Sequence, residues 1–261
     1  MSGRQDFVAG LRRWHVFARL GWFEVKRRYR RTIIGPLWGT LNLSVFILAL
    51  GTVGGGLLNK TFSAYLPFVA TGMIMWVFIS TIVSESCSLF MSNHNLFRQM
   101  QFSYSTLAYA LVWRNVIVLL HNLAAYFVIM LLFVPGLVTP WTLLAIPGLM
   151  LTAFNAVWIA LLFGMVCLRF RDLQQLVTTI LQIGMFITPV FWTPDSLGGI
   201  RHLVFVQLNP LYSLMEVVRA PLMGVPASAQ VYITAIIIAI VGSSLTYAFF
   251  GYFRKRIPYW A

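Results

Sequence analysis

Charge is what this sequence has least of. Only 10% of its 261 residues are charged, against about 25% in soluble globular domains. Lysine is nearly absent: Lys26, Lys60 and Lys255 are preceded by Val25, Asn59 and Arg254. The Walker A loop needs Gly-Lys-Ser/Thr to cradle a nucleotide's phosphates, so the chain does not bind ATP by that motif. Acidic residues are six in number: Asp6, Glu24, Glu85, Asp172, Asp195 and Glu216. An enzyme acting on a lipid carrier needs acid–base or metal-binding groups close together near the membrane surface. Here Asp195 and Glu216 are twenty-one residues apart, and His15, His94, His121 and His202 are scattered. A polytopic glycosyltransferase or lipid phosphatase is therefore the distant alternative, and no catalytic or metal site is expected. The two cysteines, Cys87 and Cys167, show no metal-ligand spacing and read as core packing. The first thirty-two residues hold nine basic residues and no uninterrupted apolar core before a small-residue cleavage site, so no secretory signal is expected.

What is abundant is apolar sequence. Hydrophobic residues make up 59% of the chain and mean hydropathy is +0.82, more apolar surface than a water-soluble fold of this size can hide. Crossing the hydrocarbon takes about 20 residues of helix. Six stretches qualify: 33–58, 66–91, 107–134, 143–168, 173–192 and 231–253. The expected fold is all-α and polytopic, with a cytoplasmic interface helix in 1–32, a six-helix transmembrane domain in 33–261 and an outside, re-entrant segment in 193–230. With six spans both termini share a side. Fifteen basic residues fall on that side and three, Lys60, Arg201 and Arg219, on the other, with Arg114 inside a span. The positive-inside rule puts both termini in the cytoplasm. The basic excess thus flanks membrane spans, and no nucleic-acid partner is expected.

Residues Asp6 to Arg31 are too polar to span, yet Phe7, Leu11, Trp14, Ala18, Trp22, Val25 and Tyr29 recur at helical spacing. A basic amphipathic helix of this kind lies in the headgroup plane. Its end, Lys26-Arg27-Arg28-Tyr29-Arg30-Arg31, is denser in cations than orientation requires. Arg27, Arg28, Arg30 and Arg31 are candidates to receive a lipid pyrophosphate arriving from the cytoplasm. Gly35/Gly39 and Gly51/Gly55 give small-xxx-small spacings suited to close helix contact. Polar residues inside spans are costly and therefore informative: Asn42, Glu85, Arg114, Asn115, His121, Asn122, Asn155 and Gln182. Glu85 and Arg114 each lie about two turns from the same membrane face, so a salt bridge between them is expected, in preference to a proton relay.

Between the second and third spans, Asn93 to Phe102 reads as a short amphipathic helix followed by serines that cap the third span. Outside, Thr193-Pro194-Asp195 and Asn209-Pro210 each combine an N-cap with proline at the first helical position. Two short helices follow from these signals, the second ending near Gly224 with Glu216 and Arg219 one turn apart. It is too polar to span and too apolar to be fully wet, which fits a re-entrant or interfacial position.

Taken in order, Arg30-Arg31-Thr32-Ile33-Ile34-Gly35-Pro36-Leu37-Trp38, Asn95-Leu96-Phe97-Arg98, Arg169-Phe170-Arg171-Asp172, and Asn209-Pro210 with Arg219 downstream resemble the membrane subunit of polysaccharide-exporting ABC transporters. The resemblance covers essentially the whole chain and is nearest to O-antigen export permeases. Capsule and teichoic acid exporters are sister possibilities, and a drug or small-lipid exporter of the same fold stays open. The resemblance implies an inner-membrane homodimer joined to two ATP-binding subunits, which hold the ATP and magnesium. Its cargo would be an undecaprenyl-pyrophosphate-linked polysaccharide. It also implies that Leu96, Phe97, Arg98, Gln99 and Met100 couple to the ATPase, and that Asn209, Pro210, Glu216 and Arg219 belong to a periplasmic gate. The first and fifth spans would line the channel, where Trp38, Phe46, Phe186, Phe191 and Trp192 offer aromatic faces to sugar rings.

Overall fold

A computed structural model describes residues 3–29, 34–35, 37–93, 103–194 and 198–260, and every extended element among them is helical. Two helices, α1 (Gly3–Arg12) and α2 (Trp14–Tyr29), precede the apolar part of the chain. Five helices are long and apolar enough to cross a membrane. They are α3 (Leu37–Leu57), α4 (Phe62–Cys87), α5 (Tyr104–Phe133), α6 (Ala145–Arg169, led in by a 3-10 turn from Pro140) and, near the C-terminus, α9 (Ala229–Phe253). At about 1.5 Å per residue each exceeds the roughly 30 Å hydrocarbon core. Between α6 and α9 lie α7 (Leu173–Ile187) and α8 (Pro210–Leu222).

The expected fifth span, 173–192, differs from what is observed. Its helix stops at Ile187 after 15 residues, and Thr188 turns extended at φ −80°, ψ 138°. The apolar run continues through Pro189, Val190, Phe191 and Trp192 without helix, because proline at 189 supplies no amide to carry the ladder forward and disfavours helix at Thr188 before it. Periodicity of hydropathy could not see that break, but Pro189 in the sequence predicts a bend there.

The bundle is built around α4. Of its most apolar stretch 83% is buried, against 22% in α3 and 28% in α9, and α4 packs on α3, α5, α6, α7 and α8. Close approach depends on small residues, as expected where lipid supplies no hydrophobic drive between helices. A Cβ on Gly51 would lie 2.8 Å from Leu66 Cδ1 and one on Gly55 3.2 Å from the Lys60 carbonyl, so this pair seats α3 on α4. Among the described residues the Gly35/Gly39 spacing brings no such contact: Gly39 is exposed, and a Cβ on Gly35 would meet nothing within 4 Å.

At the N-terminus one expected helix becomes two, broken at Arg13. Both pack on α5, through Gly10 against Ser105 and Tyr109 and through Gly21 against the Ala110 carbonyl. The apolar stripe divides accordingly: Val25 is buried against the bundle, while Leu11, Trp14 and Trp22 stay exposed. Ser103 does not cap α5 with its side chain. Asp6, fully buried, does so from α1: its Oδ1 accepts from the Ser105 amide at 3.1 Å and from the Ser105 hydroxyl at 2.8 Å. Its other oxygen pairs with Arg254 at 2.9 Å. One carboxylate therefore ties α1, the positive end of the α5 dipole and the C-terminal turn together.

Candidate functional site

Three groups of residues stand out. The first is a chain of ion pairs where α2 meets α4 and α5. Arg114 contacts Glu24 through Nη1 and lies 2.5 Å from Glu85 Oε2 through Nη2. Glu85 Oε1 accepts from Arg28 at 2.7 Å, and Asn115 Nδ2 donates to Oε2 at 3.0 Å. The expected Glu85–Arg114 bridge is present, and it forms the middle of a longer series, Arg28–Glu85–Arg114–Glu24. These residues line a cavity of ≈ 270 Å³ together with Arg27, Ser88, Ser92 and Asn93. Of the arginines expected to receive pyrophosphate, Arg27 and Arg28 sit on this cavity; Arg30 and Arg31 lie outside the described residues.

The second group surrounds Arg219, which is 1% exposed. Asn209 opens α8 by accepting from the Leu211 amide at 3.0 Å and the Tyr212 amide at 3.4 Å, with Pro210 at the first helical position. Gly224, at φ 80°, closes the helix; that conformation suits a residue without Cβ. Inside α8, Arg219 Nε donates to Glu216 at 2.6 Å and Nη1 to the Pro189 carbonyl at 2.5 Å. The guanidinium also lies 4.4 Å from the centre of the Phe68 ring. Asn209 Nδ2 reaches Thr188 Oγ1 at 3.1 Å. Two of the four expected gate residues, Asn209 and Arg219, therefore reach the turn that ends α7, and Glu216 is held to Arg219. The same turn is held to α4 by Tyr65, whose hydroxyl donates to the Phe191 carbonyl at 2.7 Å, and to the link before α4 by Lys60 donating to Thr193 at 3.1 Å. Pro194 opens a 3-10 turn where the first outside helix is expected, Asp195 lies outside the described residues, and further helical turns run through Gly199–His202 and Leu203–Gln207.

The third group is the free surface of α7, a helix with no buried residue. Leu173, Val177, Leu181, Gly184 and Met185 are its half-buried residues, and a Cβ on Gly184 would lie 3.2 Å from the Trp76 ring of α4. At 100° per residue, Gln175, Thr179, Gln182 and Phe186 form one exposed stripe, with Gln174 and Thr178 beside it; Leu176, Ile180, Ile183 and Ile187 form a separate apolar stripe. Phe186 is 70% exposed, its ring 6.3 Å from that of Phe191, and Trp192 Nε1 donates to the Phe186 carbonyl at 2.9 Å. Phe186, Phe191 and Trp192 are thus gathered by the turn. Trp38 and Phe46 are exposed on α3, where Asn42 and Thr52 share the Trp38 side. Sequence reading singled out Gln182 and passed over Gln174, Gln175, Thr178 and Thr179; their recurrence at spacings of three and four inside an apolar run was the available signal.

The remaining intramembrane polar residues serve packing. Asn122 accepts from Thr40 at 2.8 Å, His121 Nδ1 pairs with the Ile117 carbonyl at 2.7 Å, and Asn155 accepts from Trp158 Nε1 at 2.9 Å. Cys87 and Cys167 are free and buried, and the Cys87 thiol donates to the Val83 carbonyl at 3.4 Å. Among the described residues no group of His, Cys, Asp and Glu is placed to hold a metal. The expected coupling residues Leu96, Phe97, Arg98, Gln99 and Met100 lie outside the described residues.

Comparison with known proteins agrees with this architecture. The family model for the ABC-2 type transporter matches residues 15–223. The chain is 24% identical over 200 residues to an O-antigen export system permease protein RfbA of Myxococcus xanthus, covering 76% of each chain. It is similar to two proteins of that name from Klebsiella pneumoniae, 24% identical over 230 residues and 23% over 231; both alignments cover 85% of this chain and 87% of the relative.

Proposed function

This chain belongs to the ABC-2 type transporter family, and on that premise we propose that it is the membrane subunit of an exporter for undecaprenyl-pyrophosphate-linked O-antigen polysaccharide. The observation that carries the reading is the α7 surface: a polar stripe with an aromatic ring on it, exposed on an otherwise apolar chain. The Thr178 and Thr179 hydroxyls donate back to the Gln174 and Gln175 carbonyls, but glutamine amides facing lipid would leave donors and acceptors unmet at a cost of a few kcal/mol. Facing a hydrated path they bond to water or sugar hydroxyls, and rings such as Phe186 stack on the C–H faces of passing sugars. The RfbA relatives, named as O-antigen export permeases, support the choice of cargo.

In this reading α7 and the turn after it serve as the fifth of six spans, two copies of the chain face one another across the path, and Trp38, Phe46, Phe186, Phe191 and Trp192 line it. Two copies of a separate ATP-binding subunit hold ATP and magnesium and meet the chain at the cytoplasmic α1–α2 segment and at Leu96 to Met100. The basic excess places both termini in the cytoplasm, and the location is the bacterial inner membrane. Asn209, Pro210, Glu216 and Arg219 then brace the outer end of α7, where a gate would open.

Copurification with the candidate ATP-binding subunit in lipid tests this. A stable complex of two copies each, whose ATP hydrolysis rises with the lipid-linked polymer and which moves that polymer across the bilayer, is expected. A chain that purifies alone and chemically modifies the lipid carrier overturns the reading.

A further inference from the structure

We infer that the Arg28–Glu85–Arg114–Glu24 chain is a latch on α2 that a phosphoryl anion operates by taking Arg28 from Glu85. The cavity beside it is lined by three guanidinium groups and two carboxylates. Its neutral donors are committed elsewhere: Ser88 Oγ donates to the Glu85 carbonyl, Ser92 Oγ to the Ser88 carbonyl at 2.8 Å, and Asn93 Nδ2 to the Leu89 carbonyl at 2.8 Å. The cations are not used up. Arg114 Nε is buried without a hydrogen-bond partner, and exposed Arg27 has no ion pair among the described residues. Unmet donors on a guanidinium in a partly buried cavity of ≈ 270 Å³ call for an acceptor. Phosphate and pyrophosphate supply several oxygens and more negative charge than one carboxylate, in the geometry that two arginines bind best.

Such an anion has a competitor already in place. Glu85 holds Arg28 at 2.7 Å, an ionic tie from α2 to α4 among the described residues, while the body of α2 packs on α5. An anion bridging Arg27 and Arg28 takes that tie over. Glu85 keeps Arg114 and Asn115 as partners, so its negative charge is not stranded when Arg28 leaves. The last turns of α2 then part from α4 while Glu24 and Gly21 still anchor the helix to α5. Binding is thereby converted into movement of an element that precedes every span. The inference rests on the export reading only for which molecule brings the phosphoryl group.

The test uses the full chain in phosphatidylcholine nanodiscs, with inorganic pyrophosphate in one arm and a polyprenyl pyrophosphate lipid in the other. Affinity and amide hydrogen exchange over 14–29 are read together. Expected results are Kd about tenfold tighter in Glu85→Gln, where the competitor is gone, and about tenfold weaker in Arg27→Gln, equivalent to about 1.4 kcal/mol each way. Among the described residues Arg27 makes no ion pair, so its variant keeps the test open if Glu85→Gln fails to fold. Binding should speed exchange in the C-terminal turns of α2. Response in both arms, or in either alone, supports the latch and identifies the source of the anion. Binding indifferent to both substitutions, or bound anion with unchanged α2 exchange, overturns it. Polymer export by a complex lacking this response would sink the latch and leave the export reading standing; the response in a chain that exports no polymer would do the reverse.

Discussion

The charge clusters around Arg114 and Arg219 differ in how much slack they have. Arg114 sits between two carboxylates, so losing one partner leaves another. Arg219 has one carboxylate, one carbonyl and two rings, Phe68 and Tyr212, and is 1% exposed. Removing one member of a buried pair strands the other, at a cost of about 3 kcal/mol. Arg219→Leu is therefore expected to lower the Tm in detergent, and adding Glu216→Gln should recover part of that loss because the stranded carboxylate is neutralised. A double variant no more stable than the single one would mean that Arg219 acts through packing on Phe68 and Tyr212 alone. The local half of this site was legible in the sequence: Asn209-Pro210 reads as a helix start, and Glu216 and Arg219 fall one turn apart. The Pro189 carbonyl and Phe68 were not legible, because nothing in a linear pattern records which distant backbone group meets a side chain. Likewise Glu85 and Arg114 could be paired from their equal depth in neighbouring spans, whereas Glu24 and Arg28, 90 and 57 residues from their partners, could not.

At the scale of elements, length and hydropathy located the long spans because crossing lipid demands them, and failed where the demand is relaxed. Residues 188–192 are as apolar as a helix interior, yet they form a turn that α4 and α8 satisfy from outside by side-chain bonds to backbone carbonyls. Non-helical backbone at such depth is tolerated when protein meets its polar groups. Packing between spans obeys a different rule, that of small residues, which the sequence shows only as candidates. In α9, a methyl group on Gly242 would run into the Trp158 ring of α6, whereas one on Gly251 meets nothing within 4 Å. Gly242→Ala is expected to cost about 1–3 kcal/mol through overpacking. Gly251→Ala should be neutral or stabilising by up to about 1 kcal/mol, since alanine favours helix. Thermal unfolding of the two variants side by side checks this; equal shifts would mean that α6 and α9 do not meet at this register.

For the whole molecule, the exposed surfaces sort by composition. The free face of α9 carries Ile233, Ile236, Ile237, Ile240 and Val241, a surface that hydrocarbon solvates well; that of α7 carries glutamines and threonines, which it does not. Two helices of one chain, each open to its surroundings, are therefore suited to different solvents. Cysteine placed at Gln182 should react with a membrane-impermeant, water-soluble maleimide in intact membranes, and cysteine at Ile237 should resist it by at least about tenfold. The native thiols, Cys87 and Cys167, are 1% and 0% exposed, so they contribute little background. Lipid-linked polymer should protect position 182 if the sugar chain passes along α7, since a ring stacked near Phe186 would cover the next turn of the helix. Equal, low reactivity at both positions would put α7 in lipid and remove the surface on which the export reading rests.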